Sequence, residues 1–311
     1  MKILVTGGAG FIGSHVCERL IKDGHEVVCV DNFITGSRKN IAHLEKGKGF
    51  TLLEHDITEP LPGDWSDLDR VYHLACPASP ADYRQIPLQT LMTSALGTKN
   101  VLDIVGKYFL SFVLASSSEV YGDPLQHPQK EEYRGNVNTV GERSCYTEGK
   151  RFAETLSWNY WKHFQFDLKI VRIFNTYGPR MRKHDGRCIP EFISRALAGE
   201  PLPVHGDGLQ TRSFCYIDDM VDGLVAIPET DKKFLGPVNL GNPEEITINN
   251  LAKKIVSLTK SESTISHVDK APDDPVMRRP DVSLAKEKTG FQPKVGLEDG
   301  LLKTIEYFRQ N

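Results

Sequence analysis

The stretch KILVTGGAGFIGSHVCERLIKDGHEVVCVD, residues 2–31, decides the fold of this chain. It begins with a short apolar run, continues through a glycine-rich loop at residues 7–13, and then carries the spacing of an amphipathic helix. A second apolar run, residues 27–30, ends at Asp31. A strand, a tight turn, a helix and another strand in this order predict a βαβ unit of a parallel sheet.

The glycine-rich loop fits two nucleotide-binding spacings at once. Gly8, Gly10 and Gly13 match G-x-G-x-x-G, and Gly7, Gly10 and Gly13 match G-x-x-G-x-x-G. Residues without a Cβ let the backbone approach a pyrophosphate, and the N-terminus of the following helix attracts the anion. Either spacing alone is weak, but the strand before the loop and the helix after it supply the expected context. The predicted cofactor contacts in this loop are Gly7, Gly10, Phe11, Ile12 and Gly13.

An acidic residue at the end of the second apolar run predicts which dinucleotide binds. Asp31 lies close to the ~20-residue offset at which a carboxylate accepts hydrogen bonds from a ribose 2′-OH. The same carboxylate would repel a 2′-phosphate, so NAD is favoured over NADP. Asp56, after the next strand-like run, fits both an adenine contact and a turn cap. The further predicted cofactor contacts are Asn32, Asp56, Ile57, Leu74 and Ala75.

Composition excludes several classes of function. The net charge is −3 without a long basic run, which argues against nucleic acid or an anionic membrane as the main partner. Six cysteines are scattered without C-x-x-C pairs, so we expect a reducing compartment and no metal site. A strand beginning at residue 2 leaves no room for a signal peptide, and no apolar stretch approaches the ~18 residues of a membrane span. These features predict a cytoplasmic location without membrane association.

The length of 311 residues favours two lobes that share a cleft. Apolar runs such as residues 71–75 do not alternate, as expected for parallel strands buried on both faces. The predicted fold class is α/β, a Rossmann doubly wound parallel sheet with a smaller C-terminal α/β substrate lobe. The predicted divisions are an NAD-binding domain over residues 1–179, completed by a segment returning near 206–240, and a mainly nucleotide-sugar-binding lobe over 180–311.

Two stretches have helical spacing and are relevant to the oligomeric state: residues 87–107 and 146–164. The second carries more aromatic surface than one contact with a sheet needs. Core packing and a homodimer interface account for this surface equally well. We take a homodimer through these two helices as the prediction.

A tyrosine and a lysine four residues apart, Tyr146 and Lys150, share one face of the second predicted helix. A phenol with a pKa of ~10 acts as a base near neutrality only when cations stabilise its phenolate. Lys150 and an oxidised nicotinamide would both do so. Serines 116–118 follow a buried strand, at the edge where open α/β sheets bind ligands. The group predicts a hydride-transfer site in which Tyr146 removes a proton from a sugar or alcohol hydroxyl.

The glycine loop, the strand-end serines and the Tyr146–Lys150 pair together resemble the extended short-chain dehydrogenase/reductase family over essentially the whole chain. Three further stretches resemble that family's nucleotide-sugar enzymes, namely DNF at 31–33, SEVYG at 118–122 and RIFNTYGPR at 172–180. The resemblance implies a UDP-sugar substrate and NAD as the cofactor.

The pair Ser118–Glu119 indicates which reaction the resemblance implies. In the family's 4,6-dehydratases an aspartate stands in place of Ser118, and in its 4-epimerases a small residue usually stands in place of Glu119. Ser-Glu together with RSCY at residues 143–146 resembles the UDP-glucuronate decarboxylases, which form UDP-xylose. A 4-epimerase or a 4,6-dehydratase acting on another nucleotide sugar stays the alternative.

The resemblance also implies roles for individual residues. Tyr146 would be the base for the sugar 4-OH, and Ser117 the hydroxyl that orients the 4-OH. Lys150 would be the electrostatic partner of Tyr146 and a ligand of the nicotinamide ribose, so that Tyr146 and Lys150 are also implied cofactor contacts. Ser118, Glu119 and Arg212 would serve the carboxylate end of the sugar. The residues implied for substrate binding are Ser79, Asn175, Arg182, Arg187, His205, Gln210, Arg212 and Arg278.

Overall fold

The computed structural model describes residues 1–269 and 277–311. Its centre is a seven-stranded parallel sheet that begins with the predicted βαβ unit. The strands are β1 (Lys2–Thr6), β2 (Glu26–Asp31), β3 (Phe50–Glu54), β4 (Arg70–His73), β5 (Ser111–Ser117), β6 (Leu168–Ile173), β7 (Thr176–Tyr177), β8 (Leu202–His205), β9 (Thr211–Ser213), β10 (Cys215–Tyr216), β11 (Val238–Leu240), β12 (Glu245–Thr247), β13 (Ile265–Val268) and β14 (Met277–Arg278). The order in the main sheet is β11-β6-β5-β4-β1-β2-β3, so the predicted Rossmann fold class is confirmed.

Helices cover this sheet and extend beyond it. They are α1 (Phe11–Lys22), α2 (Pro80–Gln85), α3 (Pro87–Met92), α4 (Thr98–Tyr108), α5 (Ser144–Phe164), α6 (Cys188–Ala198), α7 (Ile217–Ala226), α8 (Ile248–Thr259), α9 (Ser283–Thr289) and α10 (Leu297–Gln310). Within the described ranges, each helix is too short or too polar to cross a lipid bilayer.

The apolar runs of the main strands are continuous because both faces of the sheet are buried. Ile3 and Val5 of β1 pack into one hydrophobic cluster together with Val16 of α1. Leu4, between them, points to the opposite face and joins a second cluster that contains Val101 of α4. Side chains of a strand alternate between faces, so a strand covered on both sides needs apolar residues at every position.

The C-terminal part of the chain contributes to the main sheet. Strand β11 pairs in parallel with β6, with Val238 opposite Val171. Helix α7 contacts α1, where Arg19 forms an ion pair with Asp222. Three small sheets, β12-β9-β14, β13-β8 and β10-β7, lie outside the main sheet. The division into two lobes at residue 179 stays a prediction.

The predicted helix over residues 87–107 is interrupted. A π-helical turn, Thr93–Gly97, separates α3 from α4. This turn packs tightly against its neighbours: a Cβ on Gly149 would lie 2.9 Å from the Ser94 hydroxyl, and one on Gly97 would lie 2.7 Å from Ile57 Cδ1. The periodicity of the sequence does not reveal this widened turn, because residues 93–98 are mostly small or polar and so carry few apolar markers of the helical phase.

Candidate active site

A cavity of about 420 Å³ lies at the carboxyl ends of the parallel strands. It runs from the glycine loop, past the end of β5 and the start of α5, to β9 and Arg278. All of the residues predicted for the cofactor, the substrate and the chemistry line this cavity. The fold therefore brings together the predicted site residues, which are spread over the sequence from Gly7 to Arg278. The role of each side chain stays a prediction.

The glycine loop is closed so tightly that only glycine fits at its key positions. Gly7 has a φ of +71°, and its backbone N–H donates to the Val30 carbonyl at 2.8 Å. A Cβ on Gly13 would lie 2.1 Å from the Gly7 carbonyl oxygen. Helix α1 starts directly after Gly10, and this N-cap residue has no side chain to cap the first turn. The N–H groups of that turn can therefore receive a phosphate, so the loop fits a dinucleotide.

Backbone N–H groups, one of them in the glycine-rich loop, fix the Asp31 side chain. One carboxylate oxygen accepts a hydrogen bond from the Ala9 N–H at 2.9 Å, and the other accepts from the Phe33 N–H at 2.8 Å. Burial raises the pKa of the Asp31 carboxyl, and these two hydrogen bonds oppose the rise. The side chain is therefore fixed at the end of β2, where Asp31 lines the cavity.

Asp56 caps a turn, which was one of its two predicted roles. Its Oδ1 accepts from the Thr58 N–H at 2.9 Å and from the Thr58 hydroxyl at 2.8 Å. Its Oδ2 accepts from the Asn32 amide at 3.0 Å, so two predicted cofactor residues contact each other. A contact between Asp56 and the adenine stays a prediction.

Removing the Asp31 carboxylate should narrow the preference for NAD over NADP. A hydrogen bond to a charged group contributes about 1.5–3 kcal/mol, so Asp31→Ala is expected to reduce the ratio of the two affinities by about 10- to 150-fold. Titration calorimetry with each dinucleotide measures this ratio. Asp56→Asn is the matched control and should leave the ratio unchanged. An unchanged ratio in Asp31→Ala would mean that another residue reads the ribose.

Tyr146 lies at the first turn of α5 with its ring buried. The ring stacks on Tyr83 with centroids 5.4 Å apart and an interplanar angle of 9°. Burial raises the pKa of the Tyr146 phenol, the nearby Cys76 thiol adds to the rise, and a hydrogen bond with Ser117 opposes it. The protein groups alone therefore keep the phenol protonated.

Lys150 is anchored beside Tyr146. Its ammonium group donates to the Ala115 carbonyl at 2.8 Å and lies 6.0 Å from the centroid of the Tyr146 ring. Ala115 belongs to β5, so this hydrogen bond ties α5 to the strand that carries the serines. The Tyr146–Lys150 face of α5 is thereby held against the end of the sheet.

The three serines after β5 differ in their contacts. Ser116 donates to Glu154 at 2.5 Å, and Glu154 is also paired with Arg172, so this serine serves a structural network. The Ser117 hydroxyl accepts from the Glu119 N–H at 3.2 Å and caps the 3-10 turn Ser118–Tyr121. The turn places Ser117, Ser118 and Glu119 on the wall of the cavity.

Glu119 forms two buried ion pairs through one carboxylate oxygen. Its Oε1 lies 2.7 Å from Arg143 Nη2 and 2.6 Å from Arg278 Nη1. Burial by itself would raise the pKa of Glu119, but the charges and hydrogen bonds of Arg278 and Arg143 lower it to about 2. Glu119 is therefore a carboxylate near neutral pH, a hydrogen-bond acceptor that has no proton to give.

The arginines predicted for substrate binding have different partners. Arg278 keeps two buried donors, Nε and Nη2, that meet no hydrogen-bond acceptor within the described part of the chain. Arg187 donates to the Ala78 carbonyl at 3.1 Å and lies 3.1 Å from Asp185. Arg182 pairs with Asp82, which also accepts from the Ser79 hydroxyl at 2.7 Å.

The other predicted substrate residues lie on the C-terminal side of the cavity. Arg212, on β9, is buried and donates to the Thr211 carbonyl at 2.8 Å. The Gln210 amide donates to the His205 carbonyl at 2.7 Å. The His205 ring shares a hydrogen bond of 2.8 Å with the Asp269 carbonyl. Asn175, after β6, lines the same cavity.

Two residues of the site were missed by the sequence analysis. Tyr83 supports the Tyr146 ring, and no motif marks it. Arg143 pairs with Glu119, and its place three residues before Tyr146 was the available signal. Its partner is remote in sequence, so spacing could not assign the contact.

The sequence matches the model of the NAD dependent epimerase/dehydratase family over residues 3–241. The chain therefore belongs to this family, as the resemblance to extended short-chain dehydrogenases/reductases predicted. NAD is the cofactor of the family, in agreement with the glycine loop and Asp31.

The chain is about half identical to relatives that are named as UDP-glucuronic acid decarboxylases. UDP-glucuronic acid decarboxylase 6 of Arabidopsis thaliana is 50% identical over 310 residues, which cover 99% of this chain and 89% of the relative. UDP-glucuronic acid decarboxylase 1 of Xenopus tropicalis is 49% identical over 309 residues, covering 99% of this chain and 72% of the relative. These identities extend over nearly the whole chain.

Solved structures of similar fold include sugar-nucleotide epimerases. A UDP-glucuronic acid 4-epimerase from Bacillus cereus, in complex with UDP-glucuronic acid and NAD, is 33% identical with a TM-score of 0.90, covering 100% of this chain and 99% of that one. A UDP-glucose 4-epimerase from Thermotoga maritima, with UDP-glucose, is 29% identical with a TM-score of 0.89 and the same coverage.

Proposed function

We propose that this chain decarboxylates UDP-glucuronate to UDP-xylose. The observation that carries the proposal is Glu119, paired with two arginines, in one cavity with Tyr146, Ser117 and a dinucleotide loop. The Ser118–Glu119 pair was the feature that distinguished decarboxylation from epimerisation and dehydration in the sequence. The relatives named as UDP-glucuronic acid decarboxylases, at 49–50% identity, support the same reaction.

The first step concerns C4 of the sugar. Ser117 and Tyr146 line the same cavity, where both can reach the 4-OH. Tyr146 accepts the proton of the 4-OH as a phenolate, the form that Lys150 and the positive charge of an oxidised nicotinamide would stabilise. Lys150 contributes positive charge from the same helix face. The glycine loop and Asp31 would hold NAD, which would supply reversible two-electron redox chemistry at C4.

The second step concerns the carboxylate. A ketone at C4 is β to the C6 carboxylate, so the C5–C6 bond breaks with loss of CO2 and its electron pair forms an enolate. Hydroxyl donors at the C4 oxygen, from Tyr146 and Ser117, stabilise that enolate. C5 must then gain a proton. An ionised Glu119 accepts hydrogen bonds, so we assign it to orienting the proton donor, the Ser118 hydroxyl or a water.

Arg212 positions the sugar in this account. An arginine that bound the ground-state carboxylate tightly would slow its departure, because only interactions that strengthen in the transition state accelerate a reaction. Arg212 is buried, and its Nη1 donates to the backbone of its own strand, which fixes the guanidinium. We therefore assign Arg212 to holding the sugar ring and the water that could protonate C5, rather than to a direct contact with the carboxylate.

The UDP group would lie on the C-terminal side of the cavity. Arg278, with two buried donors that meet no acceptor in the described ranges, is the strongest candidate for the diphosphate. The remaining residues proposed for the nucleotide and the sugar are Ser79, Asn175, Arg182, Arg187, His205 and Gln210.

Mass spectrometry of the nucleotide sugar tests the proposed function. We expect incubation with UDP-glucuronate and NAD to remove one CO2 and give UDP-xylose without net reduction of the cofactor. A second candidate, 4-epimerisation, is favoured by the two similar epimerase structures and would give UDP-galacturonate of unchanged mass. Loss of water from a neutral nucleotide hexose would indicate a 4,6-dehydratase. Either of these results would refute decarboxylation.

We also propose a homodimer through α3, α4 and α5. Exposed apolar side chains lie on α3, on α5 and in the π-helical turn between α3 and α4: Leu88, Met92, Leu96, Phe152 and Trp158. Leu88 is 75% exposed and Leu96 is 47% exposed. A cluster of apolar side chains of this kind is typical of an interface.

A charge placed in this surface should separate the subunits. We expect Leu96→Glu to convert a dimer into a monomer, as measured by light scattering after size-exclusion chromatography. Leu125→Glu is the control, because Leu125 is 85% exposed on a loop outside these helices. A wild-type monomer, or a Leu96→Glu dimer as stable as the wild type, would contradict the proposed interface.

The proposed compartment is the cytoplasm. All six cysteines are free thiols, and Cys17, Cys29 and Cys215 are buried. A buried free thiol packs like a small hydrophobic side chain. Free thiols of this kind are compatible with a reducing environment.

A further inference from the structure

Arg143 connects the two parts of the site that the proposed reaction needs. Its backbone carbonyl accepts hydrogen bonds from the Tyr146 N–H at 3.1 Å and the Thr147 N–H at 3.0 Å, at the start of α5. Its side chain extends to Glu119, with Nη2 2.7 Å from the carboxylate. The side chains of Arg143 and Glu119 are only 11% and 12% exposed. One residue thus contacts both the helix turn that carries Tyr146 and the carboxylate at the end of β5.

We propose that Arg143 is a positioning residue for decarboxylation, which holds Glu119 in place relative to Tyr146 and so couples the chemistry at C5 and C6 to that at C4. This inference rests on the proposed function. Arg143 makes no contact with the substrate in this account. Its role is to fix the distance between Glu119 and Tyr146.

The second arginine on Glu119 is not equivalent to Arg143. Arg278 comes from β14, in the C-terminal part of the chain, and its Nε and Nη2 have no acceptor within the described residues. A diphosphate in the cavity would compete with Glu119 for this guanidinium. Arg143 comes from the loop directly before α5, so its hold on Glu119 is independent of the nucleotide. The fixed partner of Glu119 during the reaction is therefore Arg143.

Among the residues that the structure describes, four ionisable groups face Glu119 from the elements around it. Arg143 precedes α5, Arg278 lies on β14, Tyr83 on α2 and Tyr146 on α5. The two tyrosines are neutral near pH 7, so the arginines supply the charge that keeps Glu119 ionised. Removing one arginine leaves the same burial opposed by half the positive charge, and the pKa of Glu119 rises as a result.

The test is the pH profile of turnover in Arg143→Met. We expect kcat to fall by about tenfold or more, because the group that orients the proton donor for C5 is displaced. We expect the acid limb of the kcat profile to move to higher pH, while KM for UDP-glucuronate changes little. Arg143→Lys keeps a cation and should bring the acid limb back toward the wild type. Release of UDP-4-ketopentose should increase relative to UDP-xylose, because C4 is still oxidised while slow protonation at C5 lets the enolate leave the site and take its proton from water before C4 is reduced, which leaves NADH behind.

Arg84→Met is the matched control. Arg84 lines the same cavity, but its carboxylate partner is Glu142, at 3.5 Å, and the two side chains are 38% and 60% exposed. Its pH profile should match the wild type. Thermal unfolding of each variant checks the fold, and Arg143→Gln gives the same test if Arg143→Met does not fold.

Three results would overturn the inference. A folded Arg143→Met variant with a wild-type pH profile would show that Arg143 does not act through Glu119. A higher KM with unchanged kcat would assign Arg143 to substrate binding. A wild-type protein that releases no CO2 from UDP-glucuronate would refute the proposed function and this inference with it, and that outcome is visible before any variant is made.

Discussion

Tyr146→Phe is expected to lower turnover of UDP-glucuronate by about 10²- to 10⁴-fold, the range for loss of a general base. Tyr146 is the group that accepts the proton of the 4-OH, and phenylalanine keeps the ring while removing the oxygen. The ring stack on Tyr83 should survive, so NAD and UDP should still bind. Steady-state kinetics together with calorimetric binding of both ligands measures the effect.

Tyr83→Phe is the control for this variant. Tyr83 is the other ring of the stack, and its buried hydroxyl meets no hydrogen-bond partner in the described ranges. Removing that hydroxyl should leave turnover close to the wild type. Near-normal turnover in Tyr146→Phe, or an equal loss in both variants, would contradict the assignment of Tyr146 as the base.

Gly13→Ala is expected to abolish most cofactor binding. The new Cβ would lie 2.1 Å from the Gly7 carbonyl oxygen and 2.9 Å from Gly8 Cα, so backbone must move within the loop that would hold the pyrophosphate. Overpacking of this kind costs about 1–3 kcal/mol, which corresponds to a roughly 5- to 150-fold loss of affinity if it falls on the bound loop. Fluorescence titration with NAD measures it.

Gly296→Ala is the matched glycine control. Gly296 precedes α10, far from the loop in sequence, and the nearest atom to a Cβ there is Asp299 Oδ2 at 3.9 Å. NAD affinity should be unchanged in this variant. Wild-type affinity in Gly13→Ala would show that the loop can relax without disturbing the cofactor, which would contradict the close-packed loop as the phosphate site.

The βαβ start was predictable because its determinants are local. Gly7 and Gly13 are only six residues apart in sequence and lie against each other in the loop. The apolar run of β1 is continuous because its side chains alternate between two hydrophobic clusters. The Tyr146–Lys150 pair was predictable for the same reason, since helical spacing alone places both residues on one face. The fold class and the cofactor followed from these short-range patterns.

The environment of Glu119 was not predictable from spacing. Arg278 meets Glu119 across 159 positions of sequence, and only the folded chain shows that two arginines share one carboxylate oxygen. The π-helical turn between α3 and α4 and the stack of Tyr83 on Tyr146 also depend on packing between separate elements. Such contacts decide the protonation state of the site, which the motif alone leaves open.

The most direct test of the central claim uses UDP-glucuronate that carries deuterium at C4. The account predicts that each turnover releases one CO2 and that the product UDP-xylose retains the deuterium at C4, because the hydrogen removed from C4 is returned to it. Mass spectrometry and NMR of the product report both events. Product that keeps the carboxyl group, or UDP-xylose whose C4 label has been lost to solvent, would contradict decarboxylation through an internal redox cycle.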